Sequence, residues 1–170
     1  MKPKSNLNLV GACCLFVNGL IFVFYAVSVP GFIRGVHWLI TLAAVLFTVA
    51  LPAIYRSLGR VHKSAARLVT GAFGVGMVLI VISDALFVSS LLSRLAHDLF
   101  YAFGNALFVI CLFAIGLLSW KEKWLRILSL VTGIVGVLTY IPGALLLFVP
   151  SLLLLGVWSF AMGSVLRRPK

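Results

Sequence analysis

The run LVTGAFGVGMVLIVISDALFVSSLL, residues 68–92, contains one charged residue, Asp84, among its 25 positions. A helix rises about 1.5 Å per residue, so this run is long enough to cross a hydrocarbon core of about 30 Å. Its apolar residues are continuous and do not alternate with polar ones, which favours a helix over a strand of a β-barrel. Residues 68–92 therefore predict a transmembrane helix that carries one acidic side chain.

Five further apolar runs flank this one along the chain. The 170 residues are 63% hydrophobic and 10% charged, which leaves too little polar surface to cover a water-soluble globule of this size. We predict an all-α, polytopic transmembrane bundle of six helices that forms one domain over residues 1–170. The predicted spans are Leu7–Val29, Val36–Tyr55, Leu68–Leu92, Phe100–Ser119, Trp124–Ile141 and Ala144–Leu166.

The turn between the last two spans has two candidate positions, Pro142–Gly143 and Pro150. A turn at Pro150 would leave the last helix only about 24 Å long, which is short for the bilayer core. We therefore predict the turn at Pro142–Gly143, with Pro150 kinking the helix that follows.

The 14 basic residues give a formal net charge of +11 and are divided unevenly between the predicted connections. Only Arg34 and Arg94 fall on one side. The other twelve lie in the N-terminus, the second and fourth connections and the tail: Lys2, Lys4, Arg56, Arg60, Lys63, Arg67, Lys121, Lys123, Arg126, Arg167, Arg168 and Lys170. This bias predicts a multi-pass protein of the cell inner (cytoplasmic) membrane with both termini in the cytoplasm. The basic stretches are short and lack an interleaved base-stacking pattern, which argues against nucleic-acid binding.

Asp84 is the residue that a simple lipid-embedded bundle does not explain. It is predicted to lie about 12 Å below the outer end of its span, where an ionised carboxylate costs several kcal/mol unless it is paired, hydrated or protonated. Asn18, Asn105 and Ser83 are candidate partners at similar depth. Three interpretations stay open: a polar knot that fixes helix register, a solute or proton site, and a contact to another subunit.

A second set of polar residues lies nearer the predicted outer surface. A cavity open to the outside, with Asp84 at its floor, is one arrangement of these residues. His97 and Asp98 are expected to be solvated loop residues, and His37 an interfacial one. The candidate polar or ligand site is Asp84, Asn18, Asn105, Ser83 and Tyr101. The residues available to line the outer cavity are Tyr25, Arg34, His37, Arg94, His97, Asp98, Tyr101 and Tyr140.

The sequence offers little support for an enzyme. The only carboxylate side chains are Asp84, Asp98 and Glu122; Glu122 is predicted on the opposite side from the other two, and those two are predicted at different depths, so no paired acid/base site is expected. The three histidines, His37, His62 and His97, are not at metal-ligand spacing, and the cysteines Cys13, Cys14 and Cys111 lie inside spans as small buried hydrophobes. No catalytic residues, metal or cofactor are predicted.

Two similar segments raise the hypothesis of an inverted repeat. Phe16-Val17-Asn18-Gly19-Leu20 in the first span resembles Phe103-Gly104-Asn105-Ala106-Leu107 in the fourth. Three-helix halves inserted in opposite senses recur in transporters, with the binding site near their pseudo-symmetry axis. Such short matches also arise by chance in apolar sequence.

Over most of its length the chain resembles small bacterial six-helix membrane proteins of unknown function. The resemblance rests on Gly104-Asn105-Ala106-Leu107-Phe108, on Trp124-Leu125-Arg126-Ile127-Leu128 and on the terminal Leu166-Arg167-Arg168. These patterns have low specificity. The resemblance implies six helices and supplies no substrate, cofactor or site.

These observations predict an integral membrane protein that acts as a binding or accessory/assembly subunit. Its expected partners are the lipid bilayer and either a membrane-protein partner or further copies of itself. The alternative is a small solute or proton-coupled transporter that uses a buried Asp84. A transporter predicts a hydrated cavity that reaches Asp84, whereas an accessory subunit predicts a dry interior and an apolar, small-residue outer face.

Overall fold

The computed structural model describes residues 4–28, 37–59, 63–119, 122–139 and 147–167. These residues form six α-helices, and the described ranges contain no β-strand. The prediction of an all-α, six-helix protein is confirmed. The helices are α1 (Lys4–Ser28), α2 (His37–Leu58), α3 (Lys63–Val88), α4 (Arg94–Leu118), α5 (Lys123–Leu138) and α6 (Phe148–Arg167).

Five of the six helices are long and apolar enough to cross a membrane. The exception is α5, which has 16 residues and is therefore about 24 Å long. Large apolar side chains are exposed along the helices, with Leu20 62%, Leu68 74% and Ile110 62% accessible. Side chains of this kind are stable only in contact with lipid or another apolar surface, so the fold is that of a membrane protein.

The connection between α3 and α4 differs from the predicted one. α3 ends at Val88, and Ser90 has a φ of 57°, in the left-handed region that does not continue a helix. α4 begins at Arg94 because the Ser93 side chain caps it by accepting a hydrogen bond from the Ala96 amide at 3.3 Å. The predicted spans end at Leu92 and begin again at Phe100; they differ from the helices because apolar length does not reveal the left-handed Ser90 or the Ser93 cap.

The start of α6 bears on the predicted last turn. α6 begins at Phe148, so Pro150 lies in its first turn, where the missing amide proton removes no helical hydrogen bond. The predicted kink at Pro150 is therefore wrong, because the helix starts four residues later than the predicted Ala144. The predicted turn at Pro142–Gly143 lies outside the described residues.

The six helices form a closed ring. Each packs against its neighbour in sequence, and α6 closes the ring against α1. α1 and α6 are antiparallel: a Cβ on Gly163 would lie 3.2 Å from the Ala12 carbonyl oxygen, and one on Gly156 would lie 3.2 Å from the Gly19 carbonyl oxygen. We call the end of the ring where α1 begins and α6 ends the terminal end, and the opposite end the distal end.

A cluster of four aromatic side chains fills the middle of the ring. The ring centroid of Phe47 lies 5.5 Å from those of Phe73 and Phe108 and 6.0 Å from that of Trp158. Trp158 is fully buried, and its Nε1 donates a hydrogen bond of 2.7 Å to Ser129 Oγ. This aromatic cluster (Phe47, Phe73, Phe108 and Trp158) draws on four different helices and holds them around one point.

The closest backbone approach between α3 and α4 occurs at two facing glycines. A Cβ on Gly76 would lie 2.9 Å from the Gly104 carbonyl oxygen, and a Cβ on Gly104 would lie 2.8 Å from that of Gly76. These carbonyl oxygens are backbone atoms, which cannot rotate away, and Ile80 Cγ1 lies equally close to the Gly104 position at 2.8 Å. Without a strong hydrophobic driving force between helices in lipid, such approaches are the main source of packing energy.

Gly104→Ala tests this approach. We expect it to destabilise the protein by about 1–3 kcal/mol, because the added methyl group forces α3 and α4 apart. The matched control is Gly71→Ala, since nothing lies within 4 Å of its added methyl group. That variant should be unchanged or more stable by up to about 1 kcal/mol, the helix preference of alanine. Thermal unfolding in one detergent compares them, and equal stability of the two variants contradicts the close approach.

Candidate functional site

A cavity of about 280 Å³ lies inside the ring, and all six helices contribute to its wall. Its α1 residues, Phe22 and Tyr25, come from the last third of that helix, and its α6 residues, Phe148 to Leu155, come from the first half. The cavity therefore occupies the distal half of the ring. No charged side chain of the described residues lines it, and its polar lining residues are Tyr25, Tyr101, Asn105, Thr132, Thr139 and Ser151.

The aromatic cluster closes this cavity toward the terminal end. Phe47 and Phe108 line the cavity, while Phe73 and Trp158 pack against Phe47 without reaching the lining. Both of the latter are fully buried. The floor of the cavity is thus aromatic, and Asp84 is not among the described residues that line it.

Asp84 is buried beside the cavity and has two partners. Its side chain accepts a hydrogen bond from the Thr41 hydroxyl of α2 at 2.5 Å, and its other oxygen lies 2.9 Å from Nε2 of His97 on α4. Because α3 ends at Val88, Asp84 lies about 6 Å from the end of its helix. The depth of about 12 Å expected from the sequence was an overestimate for the same reason.

His97 is the partner that the sequence did not identify. It was expected in a solvated loop, but it is 6% exposed and belongs to the first turn of α4. Nδ1 of His97 lies 3.1 Å from an oxygen of Asp98, whose side chain is 63% exposed. The expectation fails because the Ser93 cap starts α4 early and so turns His97 toward α3.

Thr41, Asp84, His97 and Asp98 together form a polar chain that runs from an exposed carboxylate to a buried one. The chain crosses three helices, α2, α3 and α4. Tyr101 connects it to the cavity, because the Tyr101 ring stacks on the His97 imidazole at 5.8 Å and also lines the cavity. One aromatic ring thus contacts both the His97 imidazole and the cavity.

The structure brings together only part of the predicted site. Asp84 and Tyr101 are linked through His97, as described. Asn105 lines the cavity, and within the described ranges its amide makes no hydrogen bond. Ser83 is 2% exposed, but its hydroxyl donates to the Ile80 carbonyl of the same helix at 2.9 Å and not to Asp84.

Asn18 also lies apart from Asp84. It is fully buried, and its Nδ2 donates to the Ala43 carbonyl oxygen of α2 at 3.1 Å. Its Oδ1 has no hydrogen-bond partner among the residues that the structure describes. Asn18 therefore joins α1 to α2, whereas its sequence counterpart Asn105 faces the cavity. The two residues that suggested an inverted repeat have different environments.

The outer polar residues named in the sequence analysis also lie in different places. Of the eight named as possible lining residues, Tyr25 and Tyr101 line the cavity. Arg94 and Asp98 are exposed, and His97 belongs to the polar chain. The other three are outside the described part of the structure: Arg34, Tyr140 and the side chain of His37.

The sequence contains a signal for the position of His97 but none for the role of Thr41. Ser93 is a preferred helix-capping residue, and a helix that begins after it places His97 one turn in, three and four residues from Arg94 and Tyr101. Thr41 carries no comparable signal, since a single hydroxyl within an apolar run is common. Its role depends on how α2 is rotated against α3.

No protein-family model matches the chain, and neither the curated proteins nor the solved structures contain a match. The resemblance to six-helix bacterial membrane proteins therefore stays a prediction. The cavity and the polar chain are the features of the structure that bear on function.

Asp84→Leu tests the polar chain. We expect it to destabilise the protein by about 1–3 kcal/mol, because Thr41 and His97 lose a buried acceptor while the branching and the number of side-chain heavy atoms are kept. Ser83→Ala is the matched control, since it removes a neighbouring buried hydroxyl whose one hydrogen bond among the described residues is to Ile80 of its own helix. Thermal unfolding in detergent compares the two. A loss for Asp84→Leu no larger than that for Ser83→Ala contradicts the structural importance of the chain.

Proposed function

We propose that this protein binds a small, neutral, largely apolar molecule in the cavity of the six-helix ring. The observation that carries the proposal is the cavity of about 280 Å³ without a charged lining residue in the described ranges. Ligand pockets begin at about 300 Å³ and combine mostly apolar walls with a few polar groups. An ionic ligand would find no counter-charge among the described lining residues, and its desolvation there would cost several kcal/mol.

The polar lining residues indicate which polar group the ligand carries. The hydroxyl protons of Thr132 and Thr139 are donated to the carbonyls of Leu128 and Gly136 in their own helix. The Asn105 amide has two N–H donors and is not committed to a partner within the described residues. A carbonyl, ether or hydroxyl oxygen on the ligand fits this donor.

We further propose a membrane orientation from the charge pattern. Twelve of the 14 basic residues lie toward the terminal end in the predicted topology, so the positive-inside rule puts both termini in the cytoplasm of a multi-pass cell-membrane protein. The cavity then lies in the half of the bundle away from the cytoplasm. Its ligand would arrive from the outer leaflet or from outside the cell.

The cavity favours the binding role over the accessory role that the sequence also predicted. An accessory subunit was expected to have a dry interior without a binding site, whereas here the distal half of the ring contains a cavity of about 280 Å³. An assembly role, with a membrane-protein partner or a second copy of the chain, stays a prediction.

Filling the cavity tests the binding role. Ala44 lines the cavity and is 3% exposed. The larger side chain of Ala44→Phe should occupy the space of a co-purified molecule and reduce its amount at least tenfold. Ala102→Phe is the matched control, because Ala102 is exposed on the outside of α4. Mass spectrometry of solvent extracts and of the intact protein released from nanodiscs measures the bound molecule. Equal amounts in the wild type and both variants contradict the proposal.

A defined probe covers the case in which the ligand is lost during purification. The probe is 4′-bromoacetophenone, which is neutral and carries a carbonyl oxygen, and the reporter is Trp158 with the other three tryptophans replaced by Phe. Trp158 packs against Phe47, which lines the cavity. Saturable quenching that Ala44→Phe abolishes supports binding. Quenching that rises linearly in both proteins reflects partitioning into lipid and contradicts it.

A proton-coupled carrier is the second candidate, and the polar chain favours it. A path of hydrogen-bonding groups leads from exposed Asp98 to buried Asp84 beside the cavity. A carrier must also open the aromatic cluster, because alternating access exposes the cavity to both sides in turn. The two candidates therefore differ in whether residues beneath the cluster ever meet water.

Cysteine labelling distinguishes the two candidates. Ser129 is fully buried beneath the cluster, so we expect Ser129→Cys, in a protein without Cys13, Cys14 and Cys111, to resist membrane-impermeant thiol reagents from both sides. Two further variants at exposed serines serve as controls: Ser64→Cys for the terminal end and Ser89→Cys for the distal end. Labelling of Ser129→Cys from the terminal side, at a rate above background, would instead favour the carrier.

A further inference from the structure

The imidazole of His97 lies between two carboxylates. Its Nε2 is 2.9 Å from Oδ1 of Asp84, and its Nδ1 is 3.1 Å from Oδ1 of Asp98. A neutral imidazole has one N–H donor and one nitrogen lone pair, and an ionised carboxylate has only acceptors. With both carboxylates ionised and His97 neutral, one of the two contacts would set a lone pair against a carboxylate oxygen.

Both contacts are hydrogen bonds only when the group holds one more proton. That proton is either on the second ring nitrogen, giving an imidazolium, or on one of the carboxyl groups, which then donates to the ring. In either case Asp84, His97 and Asp98 bind one proton beyond a neutral imidazole and two carboxylates. Burial strengthens the requirement, because the Asp84 and His97 side chains are each only 8% exposed.

We propose that Asp84, His97 and Asp98 form a proton-binding site whose occupancy changes the shape of the cavity through Tyr101. We call these three residues the proton site. Its coupling to the cavity rests on the proposed function, whereas the binding of the proton does not. The exposed carboxylate of Asp98 is the point at which the proton enters from water and leaves to it.

The groups that face His97 come from three helices. Among the described residues, the titratable ones are Asp84 from α3 and Asp98 and Tyr101 from α4. Arg94, one turn earlier on α4, is exposed. α2 contributes Thr41, which does not titrate in water near neutral pH and donates to Asp84 in either state. No three histidine, cysteine or acidic side chains in the described part have the arrangement of a metal site.

Aromatic packing carries the change to the cavity. The His97 ring lies between Phe87, at 4.5 Å, and Tyr101, at 5.8 Å. When the proton leaves, one of the two contacts becomes repulsive, so the ring turns or withdraws from one carboxylate. Tyr101 is stacked on that ring and lines the cavity. Loss of the proton therefore moves a part of the cavity wall.

The composition of the chain makes a direct test practical. It contains two aspartates, Asp84 and Asp98, and three histidines, so ¹³C-labelled aspartate and ¹⁵N-labelled histidine give few NMR signals in nanodiscs. His97→Gln assigns the His97 signals. We expect the signals of the two carboxyls and of His97 to change together in one step during a pH titration, because the three groups share one extra proton. The substitution Asp98→Asn should remove the extra proton, because an amide can donate to the second ring nitrogen.

Ser83→Ala is the control, and it should leave the step unchanged. Signals that show two ionised carboxylates and a singly protonated His97 throughout the titration overturn the proton site. So does a step that is identical in the wild type and in Asp98→Asn. If His97→Gln fails to fold, Asp98→Asn still tests the site, because Asp98 is at an exposed position. Comparison of the wild-type spectrum with that of Asp98→Asn then assigns the signals.

The coupling is tested with 4′-bromoacetophenone quenching of Trp158 at a pH below and a pH above the step. We expect the half-saturating probe concentration to change at least threefold in the wild type and less than 1.5-fold in Asp98→Asn. An unchanged wild-type value overturns the coupling and leaves the proton site standing. Absence of saturable quenching at both pH values contradicts the proposed function, and with it the coupling. The NMR step then still tests the proton site by itself.

Discussion

Close backbone approach between helices is the constraint on which the rest of this structure depends. In lipid, association of helices gains little from the hydrophobic effect, so it relies on contacts that only small residues permit. α1 meets α6 at Gly156 and Gly163, and α3 meets α4 at Gly76 and Gly104. These contacts constrain the rotation of the four helices that make them, and so help to decide which of their side chains face the interior.

The interior then divides into two halves because of the size of the side chains that point into it. At the terminal end it is filled by small and branched residues such as Ala50, Ile54 and Ile115, all nearly inaccessible. In the middle, four aromatic rings meet and hold their helices apart. Beyond them, toward the distal end, the side chains no longer fill the ring, and a cavity results. The cavity is therefore a consequence of packing around the aromatic cluster.

The sequence predicted the number and type of the helices well, because apolar length is a local property. It also identified Asp84 as the residue that a simple bundle does not explain, and it named Tyr101 as a candidate site residue. It did not predict that His97 joins them, since this depends on the Ser93 cap, which extends α4 beyond its apolar run. The partnership with Thr41 was beyond the sequence for another reason: it is set by the rotation of α2, and rotation depends on all neighbouring helices at once.

The separation of charge from the cavity limits how the two can communicate. The Tyr101 ring stacks on His97 and lines the cavity, and the described lining residues are uncharged. A neutral ligand has only a weak Coulomb interaction with a proton on His97, so electrostatics alone would couple them poorly. A stacked ring that forms one wall of the cavity couples them by shape, because close-packed interiors transmit displacement. The arrangement thus suits a neutral ligand whose binding responds to protons without any ionic contact.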